Sequence, residues 1–402
     1  MRLNKSSFLF LIFGLAFLFA SCNEQKQKKS TAQSYKKWQT GKLYSDIKVQ
    51  SDPSLSYALY LPKDYNETKE NRILFVFDAH ARGMLPVEKY QSLAEKYNLI
   101  IAASNNSENG QSAQERNRII TGFMGDVEKQ FHVDKKKIFT AGFSGGARIA
   151  TLVALYNSNV TGVIGCSAGF PQIQNPVNKS FTWVGVVGNK DFNYLELKNL
   201  KRQLKANHWK SHLLIFNGKH EWPPVEVMDE ALQIVIKNNN GKAKYEEEDN
   251  LETRKLEKSE IQQQRMLARA MEEKSINWWK VKIDELNKPD RVSFTTDEQL
   301  MHERLISYLS MISYIYTERA LKAGQTDKAA KYLAIYKKAD SDNPDVYFFE
   351  AVRFAMLKQD SDVLTALQKA KEKGFEDFSK IEKFKSFDYL KNNAEFKAIV
   401  GQ

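Results

Sequence analysis

Gly142-Phe143-Ser144-Gly145-Gly146 is the stretch of this sequence best equipped for chemistry. An apolar, β-prone run, Lys137-Ile138-Phe139-Thr140-Ala141, leads into it, and a helix-like segment at 147–156 follows without a break. A serine hydroxyl is a poor nucleophile until it is lifted clear of its own backbone and aimed at a base; a tight strand-to-helix turn does both. Crowding in such a turn favours glycine at Gly142, Gly145 and Gly146. The Gly145 N–H, at the positive end of the helix, is then placed to stabilise an oxyanion. A Gly-rich turn before a helix also arises for structural reasons alone. The serine therefore has to be weighed with a base, an acid that orients the base, and a second oxyanion donor.

Those groups depend on the elements around the turn. Residues 72–78 and 99–103 are continuous apolar runs of the kind that form buried central strands, and 162–167, 181–187 and 213–216 read the same way. Alternation over 57–61 predicts a further strand. Helical spacing covers 87–97, 194–207, 225–237 and 114–131, the last with Ile119, Ile120, Phe123, Val127 and Phe131 on one stripe. Strands alternating with helices predict a doubly wound, mostly parallel sheet flanked by helices on both faces over 41–240.

Were the serine turn that of an α/β-hydrolase, the catalytic groups would arrive in the order serine, acid, histidine, on loops at the C-terminal ends of strands. The sequence has six histidines. His80 and His132 precede the serine, His208 and His212 fall in a helix and at a strand start, and His302 lies in the helical half. Only His220, in Gly218-Lys219-His220-Glu221-Trp222-Pro223, follows the last strand in a loop, and it is the expected base. Asp191, in Gly188-Asn189-Lys190-Asp191, is the expected acid, with Glu196 as its rival. As a helix N-cap, Asp191 would serve that role or orient the base, not both at once. Phe143, Trp222, Phe170 and Trp183 are candidate pocket aromatics, and core packing accounts for Trp183 equally well. No insertion between 165 and 190 is long enough for a large lid, so a small or accessible ester is expected. The chemistry calls for no metal and no cofactor.

Gly-x-Ser-x-Gly at 142–146, the Gly188-x-x-Asp191 acid loop and His220-x-Trp222-Pro223 together resemble the polyhydroxybutyrate-depolymerase and feruloyl-esterase branch of the α/β-hydrolases. The resemblance spans roughly 57–240 and implies a serine esterase acting through an acyl-enzyme. In that family the strand before the second oxyanion donor ends His-Gly-x and x donates its N–H. The matching residues here are Asp78-Ala79-His80, which implies His80 as donor with Ala81 as the alternative.

The ends of the chain say where such an enzyme would work. A basic start, an apolar run over 8–20 and Ser21-Cys22 read as a secretory signal at 1–21. The segment resembles a bacterial lipobox, which implies lipidation of Cys22 and a protein tethered to the cell envelope, periplasmic or surface-facing, through a polar stretch over 22–40. An ordinary cleaved signal is the alternative. Cys166 is the one other cysteine, read as a small core residue, and if Cys22 carries lipid no disulfide can form within the mature chain. The net charge of +11 is scattered rather than gathered into a groove with stacking aromatics, so nucleic-acid binding is not expected. Beyond residue 240 the strands disappear and the chain turns charged and helical, first as a linker at 241–292. Gly324, Ala329, Leu333 and Tyr336 map onto Lys358, Val363, Leu367 and Ala370 at a constant offset of 34. This resembles a tetratricopeptide repeat over 293–402, a possible protein-partner surface; a plain helical bundle is the alternative. Besides an esterase on a small-molecule or polymer-borne ester, two other functions fit: a peptidase on the same fold, and a non-catalytic interaction protein using the helices.

Overall fold

The computed structural model describes residues 38–171, 178–237, 243–246, 251–288 and 295–401. The expected signal, Cys22 and the tether up to residue 37 lie outside them. Eight strands form one sheet: β1 (Lys42–Val49), β2 (Asp52–Leu61), β3 (Asn71–Phe77), β4 (Leu99–Ser104), β5 (Val133–Phe143), β6 (Val160–Cys166), β7 (Thr182–Gly188) and β8 (Ser211–Phe216). Their order is β1-β2-β4-β3-β5-β6-β7-β8; β2 runs antiparallel to both its neighbours, β1 and β4, and the other five pairings are parallel. This is the doubly wound, mostly parallel sheet of the α/β-hydrolase class.

The wrapping helices are α1 (Met84–Lys89), α2 (Gln91–Tyr97), α3 (Ala113–Gln130), α4 (Gly145–Tyr156), α5 (Tyr194–Ala206) and α6 (Val225–Lys237). Strand β3 and the 138–143 half of β5 are buried on both faces, which is why they read as apolar runs, whereas Lys135, Lys136 and Lys137 at the start of β5 are exposed. Leu74, Val76, Phe139 and Ala141 meet α1, α2 and α6 on one face. On the other, Phe123 of α3 packs edge-on against Phe75 and Phe77, and Thr140 donates to the Ala150 carbonyl of α4. The helix expected over 87–97 is broken at Tyr90, whose ring is buried and whose hydroxyl donates to the Pro223 carbonyl at 2.8 Å. The chain returns to the sheet after α6: the Ile215 N–H donates to the Tyr245 carbonyl, and Glu246 pairs with Lys201 and His212.

Everything after residue 250 that is described is helical: α7 (Leu251–Glu273), α8 (Ile276–Asn287), α9 (Thr296–Lys322), α10 (Thr326–Ala339), α11 (Pro344–Met356), α12 (Asp360–Glu372) and α13 (Ala394–Val400), with two 3₁₀ turns at Phe378–Lys383 and Lys385–Leu390. The hairpins α9–α10 and α11–α12 share one turn geometry. Gln325 donates to the Ala320 carbonyl and Ala329 to Gln325; 34 residues on, Gln359 donates to Phe354 and Val363 to Gln359. Gly324 and Lys358 occupy the left-handed position of the two turns, at φ of 74° and 58°. A non-glycine residue tolerates this conformation only at some cost, so the turn is imposed by the packing of the hairpin. Ala329, Leu333, Tyr336, Val363, Leu367 and Ala370 are all buried between the helices.

Candidate active site

Ser144 sits where β5 turns into α4, with φ 54° and ψ −122°. That backbone is strained by about 1–3 kcal/mol for a residue with a side chain. It is held by a hydrogen bond from the Ser144 N–H to the Cys166 carbonyl at 2.9 Å and another from Ala147 to the Ser144 carbonyl at 3.0 Å. Close approach dictates the flanking glycines. A Cβ on Gly142 would overlap the Gly146 carbonyl, and one on Gly146 would overlap the Phe77 carbonyl. The turn thus lifts the serine to the C-terminal edge of the sheet with the α4 N-terminus behind it.

The loops after β7 and β8 bring Asp191 and His220 together. His220 Nδ1 lies 3.0 Å from both carboxylate oxygens of Asp191, which is fully buried. The imidazole stacks on Phe192 at 4.2 Å between centroids and leans on Phe143 at 4.8 Å, so two aromatic rings restrict its plane. Asp191 Oδ1 also accepts the Asn193 N–H at 2.7 Å. The helix N-cap expected as its alternative role falls instead to Asn193, the residue before Tyr194, and the Asp191 carboxylate accepts the Asn193 N–H as an Asx turn just outside α5. The rival Glu196 points elsewhere, accepting from Gly169 and pairing with Arg148. Among the other histidines, His212 pairs with Glu246 and His80 lies 3.7 Å from Asp78.

Asp78, at the end of β3, organises the loop expected to supply the second oxyanion donor. Its buried carboxylate accepts from the His80 N–H at 2.8 Å, the Arg82 guanidinium at 3.0 and 3.1 Å, and Trp222 Nε1 at 2.9 Å. Burial alone would raise the Asp78 carboxyl, but the donors from His80, Arg82 and Trp222 outweigh it and hold the group well below the usual carboxylate range. Two expectations change as a result. The His80 N–H is committed to Asp78 and the Ala81 N–H to the Ser107 carbonyl at 2.8 Å, so neither faces the serine. Trp222 is not a pocket wall. It is buried beneath the base loop against Tyr90 and Phe143, where its indole N–H ties that loop to Asp78.

Sequence reasoning gave no weight to Asn109. It lies in the same cavity as Ser144, and a Cβ on Gly145 would overlap its side-chain oxygen, so the amide rests against the first residue of α4.

Ser144, His220, His80, Arg82, Asn109, Phe143 and Phe192 line a cavity of about 920 Å³. Ser144 and His220 face the same cavity, and among the described residues no hydrogen bond joins them. The far wall of the cavity belongs to the helical region: Met311, Tyr314 and Tyr336 of α9 and α10, with Asp345, Phe375 and Lys380 beyond them. An ion pair of 2.9 Å between Lys383 and Glu108 joins the two sides at the rim. The absence of a lid insertion had suggested an accessible site. The cover is supplied by the C-terminal helices, from outside the segment in which it was sought.

No family model and no curated relative matches this chain. Among solved structures it is similar to a feruloyl esterase module from Clostridium thermocellum complexed with sinapinate, at 13% identity and TM-score 0.40, over 53% of this chain and 92% of that one. It is also similar to S-formylglutathione hydrolase from Staphylococcus aureus, at 15% identity and TM-score 0.39, over 50% of this chain and 97% of that one. A fluorophosphonate-binding serine hydrolase of the same organism matches at 15% and 0.38, over 49% and 98%. Likeness at this level carries nothing about substrate or mechanism.

Proposed function

We propose that this protein is a serine hydrolase that cleaves carboxylic esters, and the alignment of His220 on buried Asp191 beside Ser144 is the observation that carries the reading. His220 takes the Ser144 proton as the hydroxyl attacks the ester carbonyl. Asp191 holds the imidazole in the tautomer whose Nε2 is free to accept, and stabilises the imidazolium that forms. His220 then returns the proton to the departing alkoxide, and water, activated by the same imidazole, releases the acyl group from Ser144. Every step uses groups of this chain.

The developing oxyanion is held by the Gly145 N–H at the start of α4 and, in this reading, by the side-chain amide of Asn109 in place of the main-chain N–H of His80. Asn109→Ala is expected to lower kcat by about 10²–10³-fold with little change in KM, as loss of one oxyanion donor does. Equal kcat in the variant would return the role to the 79–81 loop.

The cavity volume lies at the upper end of the range of about 300–1,000 Å³ for sites that take drug-sized ligands. Aromatic side chains from both halves suit an ester with a bulky acyl or alcohol part rather than a short one. Peptide cleavage at the same serine is the second reading, favoured by the helical wall, which narrows access as a peptidase gate does. Paired ester and amide substrates of one acyl group separate the two.

The N-terminal sequence supports a lipid anchor on Cys22 at the bacterial cell envelope, with the tetratricopeptide-like period as a possible partner surface. Cys22→Ala should move the protein from the membrane to the soluble fraction; a wild type found wholly soluble would remove the anchor. The catalytic reading is tested by fluorophosphonate labelling of wild type beside Ser144→Ala. Labelling of wild type alone supports it, and a folded wild type that does not react leaves the helical region as the place to look for function.

A further inference from the structure

We infer that Arg304, on α9 of the helical region, is a positioning residue for the Asp191–His220 pair. The inference rests on the catalytic reading above and extends it to a side chain that does not line the cavity.

Arg304 is 6% exposed and Glu260, on α7, is fully buried. The guanidinium meets the Glu260 carboxylate through Nε, 3.0 Å from each oxygen, and through Nη2 at 2.7 Å. This two-pronged grip fixes the plane of the fork. The remaining arm, Nη1, is thereby aimed at the Asn189 carbonyl, to which it donates at 2.9 Å. The guanidinium also lies over the ring of Tyr194, 4.5 Å from its centroid, at the first residue of α5.

Asn189 is the residue through which the acid and base loops are joined. Its N–H donates to the Phe216 carbonyl at 2.8 Å, and its side-chain oxygen accepts the Gly218 N–H at 3.3 Å. Lys190 donates to the Gly218 carbonyl at 3.0 Å, and Lys190 Nζ pairs with Glu303, the neighbour of Arg304, at 2.9 Å. Asp191 follows Lys190, and His220 stands two residues after Gly218. A single guanidinium contributed by the appended helices thus anchors the peptide that spaces acid from base. Without it, a half-buried carbonyl and a buried carboxylate both lose their Arg304 donors, and the two loops are free to shift relative to one another. A shift of about 1 Å in such a pair is enough to cost up to about 100-fold in rate.

The experiment compares wild type, Arg304→Met and Arg304→Lys in the full-length chain, with Ser144→Ala as control. It reads kcat and KM on a p-nitrophenyl ester and the low-field proton resonance of the His220 Nδ1–H···Asp191 hydrogen bond. The methionine variant is expected to lose about 10- to 100-fold in kcat at nearly constant KM, and its low-field signal should broaden or vanish. The lysine variant keeps a charge beside Glu260 but gives up the second arm of the fork, so its kcat should fall between the other two. If the methionine variant fails to fold, the lysine variant carries the test. Lower kcat at constant KM with a weakened signal supports the inference; a folded variant with wild-type kcat and an unchanged signal overturns it. A wild type that neither turns over ester nor labels overturns the catalytic reading itself, whatever the Arg304 variants do.

Discussion

Ser144→Ala, His220→Ala and the double variant should all fall to one residual rate, about 10⁶-fold below wild type in kcat. In the proposed mechanism the two side chains act on a single proton: without the base the hydroxyl stays a weak nucleophile, and without the hydroxyl the base has nothing to activate. Removing the second therefore costs little once the first is gone. The residual rate should not be zero, because the Gly145 N–H at the α4 N-terminus and the cavity walls remain in each variant. Single-turnover ester hydrolysis checks this, with folding verified by the thermal midpoint. Losses that multiply in the double variant would show that the two side chains do not work as a unit and would remove Ser144 and His220 from one mechanism.

Asp191→Asn is expected to lower kcat by about 10⁴-fold while leaving the fold intact. The reason is local. The Asn193 N–H, 2.7 Å from Oδ1 of Asp191, needs an acceptor and so selects the oxygen of the new amide. The NH₂ group is then turned toward His220 Nδ1, which now lies 3.0 Å from both carboxylate oxygens. A donor facing Nδ1 forces the imidazole proton onto Nε2, the nitrogen that has to accept from Ser144. Fluorophosphonate labelling should slow in parallel with turnover, whereas the unfolding midpoint should move little. Unchanged kcat would exclude Asp191 as the orienting acid.

The strand-to-helix turn, the α/β alternation and the order Ser144, Asp191, His220 could all be read from the chain, because each is a local pattern or a matter of sequence order. Steric crowding against Gly146 and Phe77 accounts for the glycines, and burial on both faces accounts for the apolar runs. Other features were not legible. Asp78 reads as a polar end to an apolar run, yet four hydrogen bonds from His80, Arg82 and Trp222 converge on it; these commit the His80 N–H and bury the tryptophan expected to wall the pocket. Asn109 carries no motif and gains its place only by resting against Gly145.

What the sequence determined by itself was the kind of sheet, the turn that presents the serine, and a helical second half. Only the tertiary structure decided which main-chain N–H groups are free and which aromatics are buried. It also decided that the helices beyond residue 250 close over Ser144 and reach the acid loop through Arg304. The physical reason is separation along the chain. Periodicity and turn preferences act over a few residues, whereas Arg304 and Asn189 are 115 residues apart and meet only through the packing of α7 and α9 against the hydrolase loops.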